Sequence, residues 1–145
     1  MKKEELIMCF PLNLKEDVQV VIDNLKIKDG DIHKRSYNVK INNILLTIPE
    51  RIYFSEPASG NLTTIQKYIL DCIFTKHHDG FIRQKHLRNL LFCTEYWIIP
   101  FCFRLLGEYV KDILPDIKVQ IDNNIENYLY FISENNEFYN RTKAR

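Results

Sequence analysis

The stretch TKHHDGFIRQKHLRNLLFCTEYWIIPFCFRLLGEYVKDIL, residues 75–114, decides the fold of this chain. It contains three of the four histidines, the only tryptophan and the most continuous apolar run. Asp79-Gly80 near its start indicates a turn, because glycine accepts the left-handed backbone conformation that a preceding aspartate favours. Apolar side chains then recur at helical spacing between positions 82 and 92, which predicts a short helix with one buried face.

The second half of this stretch has a different pattern. From Trp97 to Leu114, apolar residues occur on every side of a helical wheel, and a helix of that kind lies inside a domain. Gly107 costs about 1 kcal/mol in a helix interior, so we expect another backbone or an aromatic ring to pack closely there. The stretch therefore predicts a two-helix hairpin with a buried second helix, and Gly80, Trp97 and Gly107 are assigned structural roles.

Positions 1–60 predict a small α+β part of the chain. Helical spacing of apolar residues predicts a first helix at Leu14–Lys26. The apolar period then changes to two on either side of Asn42-Asn43, a pair that tolerates positive φ, which predicts a tight antiparallel β-hairpin. Arg51–Phe54 is expected to add a third short strand.

Positions 61–139 predict a helical part of the same single domain. Thr63 and Gln66 form a capping box at the start of one helix. Asp116–Ser133 has the most regular periodicity in the chain and predicts one continuous helix, with Ile125 and Leu129 on its apolar stripe. The polar end of the chain, including positions 140–145, is expected to fray. The predicted fold class is α+β and predominantly helical, with an N-terminal helix and a small β-hairpin packed on a C-terminal helical bundle.

Composition limits the classes of function. At 145 residues, with 46% apolar and 27% charged residues, the chain is long enough for one globular domain. The net charge of +1 predicts no strong general attraction to nucleic acid or to anionic membranes. The four cysteines lack metal-binding spacing and are expected to be reduced, and no segment has the pattern of a signal peptide or a membrane span. We expect a cytoplasmic protein without a cofactor; its oligomeric state is left open.

His77, His78 and Asp79, with His86 on the following helix, are residues that a metal-dependent hydrolase or nuclease could use. Adjacent side chains on one backbone rarely converge on one ion, however, and a polar helix end followed by a turn explains the same residues. No second carboxylate, nucleophile elbow or phosphate loop supports a reaction. We therefore expect no catalytic residue and no bound metal, and we keep the metal site as the alternative.

A carboxylate in a mostly buried helix needs a partner, because an unpaired buried charge costs several kcal/mol. Glu108 is such a residue. Three arginines lie in or beside the predicted helix hairpin, and we expect Glu108 to pair with Arg83, Arg88 or Arg104. Arg83 and Glu108 are accordingly assigned structural roles.

Charge is distributed unevenly along the chain. Positions 108–137 contain seven acidic residues and two lysines. Asp122 and Glu126 share one face of the last predicted helix with Tyr130 nearby, and Asp112 and Asp116 precede them at a helix corner. A solvated helix face explains this pattern. The alternative is a docking surface for a basic protein, because complementary charge speeds encounter and selects the partner.

Four segments together resemble a group of small bacterial proteins: IPERIYF (48–54), TKHHDGFIRQKHL (75–87), WIIPF (97–101) and LLGEYV (105–110). The group is that of immunity proteins of polymorphic-toxin and contact-dependent growth inhibition systems. The resemblance, which covers positions 37–114, implies a protein that binds one cognate toxin in the cytoplasm and blocks its active site without chemistry of its own. Such toxins are often nucleases with basic clefts, which an acidic surface would cover. The helix hairpin at 83–114 also resembles one HEAT-like repeat, and a scaffold or regulatory subunit remains an alternative.

Overall fold

The computed structural model describes residues 2–58, 60–108 and 114–143, and it confirms a predominantly helical α+β fold. In chain order, the elements are α1 (Lys15–Asp23), β1 (Ser36–Ile41), β2 (Ile44–Pro49), α2 (Thr64–Phe74), α3 (Gly80–Asn89), α4 (Ile99–Arg104), α5 (Leu114–Asp122), α6 (Ile125–Glu134) and α7 (Asn136–Lys143). Short 3-10 helices lie at Lys3–Cys9, Leu12–Leu14, Tyr96–Ile98 and Leu105–Gly107. The first helix is therefore shorter than the sequence predicts.

β1 and β2 form the antiparallel hairpin that the change of period predicts. Asn42 and Asn43 have φ angles of 51° and 64°, which are the angles of a type I′ turn. The expected third strand is wrong, because Ile52 makes only isolated bridges to Ile32 and His77. Its backbone N–H and C=O instead bond the chain just beyond α2, at Lys76 O and His78 N. This contact attaches the hairpin to the helical part.

α2 begins with the predicted capping box. Thr63 Oγ1 accepts the Gln66 N–H at 3.2 Å, and Gln66 Oε1 accepts the Thr63 N–H at 3.1 Å. α2 packs between α1 and α3, with Ile69 and Cys72 fully buried on its inner side. One hydrophobic core contains residues of both the N-terminal part and the helical part.

The buried second helix of the central stretch is interrupted. α4 ends at Arg104, a 3-10 turn follows, and Glu108 takes extended angles with φ −90° and ψ 146°. The prediction of one helix from Trp97 to Leu114 is therefore wrong. Gly107 lies in the last helical turn before the chain extends, where its poor helix propensity favours termination. The second arm of the helix hairpin is short for this reason.

Asp79-Gly80 starts a helix and does not form the predicted turn. The Asp79 carboxylate accepts the Phe81 N–H at 2.9 Å and acts as the N-cap of α3, and Gly80 is the first residue of that helix. Within the part of the chain that the structure describes, Gly30 is the glycine with a positive φ, at 87°. The side chain of an aspartate can accept a nearby backbone N–H in a helix N-cap or in a turn. The sequence Asp-Gly therefore does not distinguish the two structures.

The single helix predicted at Asp116–Ser133 is wrong, because the chain breaks between α5 and α6. The Asn124 side-chain amide donates to the Cys93 carbonyl at 2.9 Å and to the Gln120 carbonyl at 3.1 Å. These bonds hold Asn124 outside a helix, at φ −139°. The break changes which side of α6 faces the core, so Ile125 and Leu129 are 53% and 64% exposed although the sequence places them on an apolar stripe.

The polar C-terminal segment, which was expected to fray, forms helix α7 up to Lys143. Phe138 is 3% exposed and stacks on the Tyr37 ring with centroids 5.2 Å apart. The Arg104 guanidinium lies over the same Phe138 ring at 5.8 Å. Tyr139 of the same helix packs on the Phe103 ring at 6.0 Å, so aromatic contacts dock a helix whose other residues are mostly polar. Positions 144 and 145 lie outside the described residues.

All four cysteines are buried and free, as the sequence predicts. Burial raises the pKa of Cys93 to about 11, which keeps its thiol protonated at neutral pH. Across residues 2–58, 60–108 and 114–143, no helix is long and apolar enough to cross a bilayer.

Candidate protein-binding surface

The four residues of the candidate metal site do not come together. The His77 and His78 rings lie 4.4 Å apart, and His77 Nδ1 accepts the Asp79 N–H at 3.1 Å. His86 lies beyond the Phe74 ring, which stacks on His77 at 6.0 Å and on His86 at 5.1 Å. The described part of the chain contains no group of three or more His, Cys, Asp or Glu side chains arranged to hold a metal ion. The geometry therefore gives no support to the metal-site alternative.

His86 instead joins two carboxylates. Its Nδ1 lies 2.7 Å from Asp71 Oδ1, and its Nε2 lies 2.7 Å from Glu56 Oε2. Asn89 donates to the same Asp71 oxygen and Lys85 to the same Glu56 oxygen, both at 3.0 Å. Burial opposes ionisation of Glu56, but the hydrogen bonds from Lys85 and His86 outweigh it and lower its pKa. This cluster links α2, α3 and the loop after β2.

Asp71 and Glu56 were not predicted as partners of His86. Asp71 is 6% exposed on the inner half of an apolar helix, and a buried carboxylate requires a cation or donors nearby. That signal was available in the sequence, but the identity of the partner depends on how α2 packs on α3.

Glu108 pairs with an arginine that was not among the three expected. Its two carboxylate oxygens both lie 2.8 Å from Arg51 Nη2. Arg83 donates to the carbonyls of His77 and His78 at 2.8 and 3.0 Å, and so secures the chain between α2 and α3. The structural roles of Glu108 and Arg83 are compatible with these contacts, although the predicted pairing is wrong.

The other two arginines also have carboxylate partners. Arg104 Nη2 contacts the Glu50 carboxylate at 2.6 and 2.8 Å, and Arg88 Nε contacts Asp116 Oδ2 at 3.0 Å. Trp97, the fifth residue given a structural role, is 7% exposed and packs edge-on against the Phe10 ring at 5.8 Å. Each of these contacts joins segments far apart in sequence.

Of the five residues predicted for partner binding, Asp112 lies outside the described residues. Asp116 accepts bonds from Arg88 and Gln84, so its charge is already compensated. Asp122 is 58% exposed and holds Lys118 at 3.0 Å in an exposed i,i+4 pair. Such pairs contribute less than about 1 kcal/mol, so Asp122 can exchange partners readily.

Glu126 and Tyr130 are open to solvent on α6. Glu126 is exposed and makes no ion pair within the described residues. Tyr130 is 50% exposed, and its ring lies edge-on to the Tyr96 ring at 5.1 Å, which fixes its position. Ile125 and Leu129, one helical turn apart, are exposed beside them. We call Ile125, Glu126, Leu129 and Tyr130, together with Asp122 at the end of α5, the α6 outer face.

The α6 outer face combines an apolar centre, an aromatic side chain and two carboxylates. Its residues are positioned by the packing of Tyr128 and Phe131, which are buried on the opposite side of α6. Its composition is that of a protein-binding surface with a charged rim. Comparison with models of known protein families, with curated proteins and with solved structures found no match.

Proposed function

We propose that this chain is a cytoplasmic, non-enzymatic immunity protein that binds a cognate bacterial toxin through the α6 outer face and covers the toxin's active site. The observation that carries the proposal is the exposure of Ile125 and Leu129, at 53% and 64%, beside the exposed carboxylate of Glu126. The resemblance of four sequence segments to immunity proteins of contact-dependent growth inhibition systems supports the same function.

The apolar part of the surface supplies affinity. Burying one leucine or isoleucine side chain against a partner contributes about 1.5–3 kcal/mol when the whole side chain leaves water, and somewhat less from a half-exposed start. Tyr130 adds a rigid aromatic side chain with a polar tip, a residue type enriched in the energetic centres of interfaces. Three neighbouring side chains of this kind are enough for the centre of a small interface.

The carboxylates supply selectivity. Glu126 follows Ile125 on α6, and Asp122 ends α5 four positions earlier. Exposed charge of this kind speeds association with an oppositely charged partner more than it raises final affinity. A nuclease has a basic substrate cleft, because it must bind phosphates. A toxin of that class is therefore the partner that this surface fits best.

The proposal is tested by co-expressing the chain with the toxin domain encoded by the neighbouring gene. The unaltered chain should restore growth, and the double variant Asp122→Lys with Glu126→Lys should not. Glu16→Lys is the matched control, because it reverses an exposed carboxylate on the remote helix α1 and should still protect. Equal protection by the double variant would show that the chain does not bind the toxin through the α6 outer face. If the neighbouring gene encodes no toxic product, the proposed function itself is refuted.

A further inference from the structure

The register of the β-hairpin determines which backbone groups of β1 point away from β2. A two-residue turn makes Ile41 and Ile44 a hydrogen-bonded pair, and the pairs alternate from there along the ladder. Lys40, Asn38 and Ser36 therefore belong to non-hydrogen-bonded pairs. Their N–H and C=O groups point to the outer edge of β1, where no further strand is paired in the described part of the chain.

At Lys40, a side chain takes the place of a neighbouring strand. The Asn135 side chain accepts the Lys40 N–H at 2.7 Å and donates to the Lys40 C=O at 2.9 Å. A primary amide presents one donor and one acceptor side by side, as a β-strand residue does. Asn135 therefore closes the edge at Lys40 and shows that a peptide-like group fits against it.

The edge remains open at the next two outward-facing positions. Neither the backbone of Asn38 nor that of Ser36 has a hydrogen-bond partner among the described residues. Two adjoining cavities of about 420 and 210 Å³ run along this edge between β1 and the segment 133–141. Asn38, Phe138 and Arg141 line both cavities, so the two form one groove.

Side chains of both charges line the groove. Glu134 and Glu137 line the half near Lys40. The Glu134 carboxylate accepts hydrogen bonds from the Asn42 and Asn43 N–H groups at 3.1 and 2.9 Å. In the half near Ser36, the Arg104 guanidinium forms an ion pair with Glu50. Arg141, which lines both halves, is exposed and makes no ion pair within residues 2–58, 60–108 and 114–143, so a carboxylate placed in the groove beside Arg141 would meet an available cation.

We propose that the outer edge of β1 binds an extended acidic peptide segment of a partner protein by strand addition, with main-chain hydrogen bonds to Asn38 and Ser36 and a carboxylate on Arg141. An extended segment is the occupant that offers alternating N–H and C=O groups at the spacing of this edge. Such a segment would lie between the edge of β1 and residues 133–141, which line the same groove. This site is separate from the α6 outer face and does not depend on the proposed function.

The test uses a capped pentapeptide of alternating threonine and glutamate as the probe, titrated into the full chain and followed through backbone amide NMR signals. The expected result is a saturable shift of the Ser36 and Asn38 amide signals with Kd below about 1 mM. The corresponding threonine–lysine pentapeptide should cause no such shift, because it places like charge beside Arg141. Shifts located on α6, or none at these two amides, would overturn the proposal.

Two variants separate strand addition from general charge attraction. Asn38→Pro removes the outward N–H without touching the ladder to β2, and should weaken peptide binding at least tenfold. Thr47→Pro is the matched control, because Thr47 is the partner of Asn38 in the same pair and its N–H points to the opposite edge of the hairpin. Equal effects of the two prolines would overturn the proposal. If either proline prevents folding, Arg141→Glu on exposed α7 must produce the tenfold loss alone, and retained binding refutes the site.

Discussion

Replacing Lys76 with methionine should change how the stability of the fold depends on pH. Lys76 is 1% exposed, its Nζ donates to the Tyr37 hydroxyl at 2.9 Å, and the Arg104 guanidinium lies 4.9 Å from the centre of the same Tyr37 ring. Burial, and secondarily the positive charge of Arg104, lowers the pKa of Lys76 from 10.5 to about 7. The folded chain therefore binds fewer protons at this site than the unfolded chain between those two values.

The sign and size of the effect follow from that difference. Stability rises with pH wherever the unfolded state binds more protons, so Lys76 should make the free energy of unfolding increase from about pH 7 upward. The slope approaches about 1.4 kcal/mol per pH unit, and the accumulated gain between about pH 7 and pH 9 is about 2 kcal/mol. Lys76→Met lacks this gain, whereas other titrating groups are common to both chains and cancel.

The assay is urea unfolding at several pH values between about 6 and 9, followed by fluorescence of Trp97, the only tryptophan, which is 7% exposed. The difference in unfolding free energy between the unaltered chain and Lys76→Met should move by about 2 kcal/mol in favour of the unaltered chain as the pH rises. A constant difference across this range would refute the assignment of a lowered pKa to Lys76. Such a pH-independent difference in unfolding free energy would arise from lost packing or from the lost hydrogen bond to Tyr37.

Two further predictions concern stability and use the same unfolding assay. Asn124→Ala should destabilise the chain by about 1–3 kcal/mol, because the buried Cys93 carbonyl loses its hydrogen-bond donor. The control Asn123→Ala removes a hydrogen bond at an exposed position and should destabilise the chain less. The reverse order of the two effects would contradict the account of the helix break. Asn42→Val should destabilise the chain by about 1–2 kcal/mol, because a β-branched residue resists the φ of 51° at this position. The control Asn13→Val changes an exposed residue and should be nearly neutral. Equal effects of the two substitutions would contradict the type I′ turn.

Features fixed by a few neighbouring residues were predictable from the sequence. The paired asparagines of the hairpin turn and the capping box of Thr63 and Gln66 each contain their own hydrogen-bond partners or backbone preference within four residues. The α+β class follows from these features together with the two apolar periods. Such local signals do not depend on how the elements later pack.

Features that depend on distant partners were not predictable. Asn124 breaks a well-patterned helix because its amide bonds the carbonyl of Cys93, which is 31 positions away. Glu108 selects Arg51, 57 positions away, over three arginines nearer in sequence. The sequence offers each of these groups several partners, and only the packed core decides among them.

The candidate surface was predictable in part. Asp122, Glu126 and Tyr130 were expected at the surface from their charge and spacing, and the structure places Glu126 and Tyr130 together on the outer side of α6. The exposure of Ile125 and Leu129 was not expected, since a continuous helix would have kept both on the apolar stripe. The break at Asn124 therefore creates the apolar centre of the surface on which the proposed function depends.

The most direct test of that function is the affinity of the neighbouring-gene toxin domain for two leucine variants, measured by calorimetry. Leu129→Asp places a charge in the centre of the α6 outer face and should weaken binding at least tenfold, equivalent to about 1.4 kcal/mol. Leu12→Asp makes the same change at a side chain that is 77% exposed on the N-terminal 3-10 helix, and should leave the affinity unchanged. Equal affinities of the two variants would contradict docking through α6.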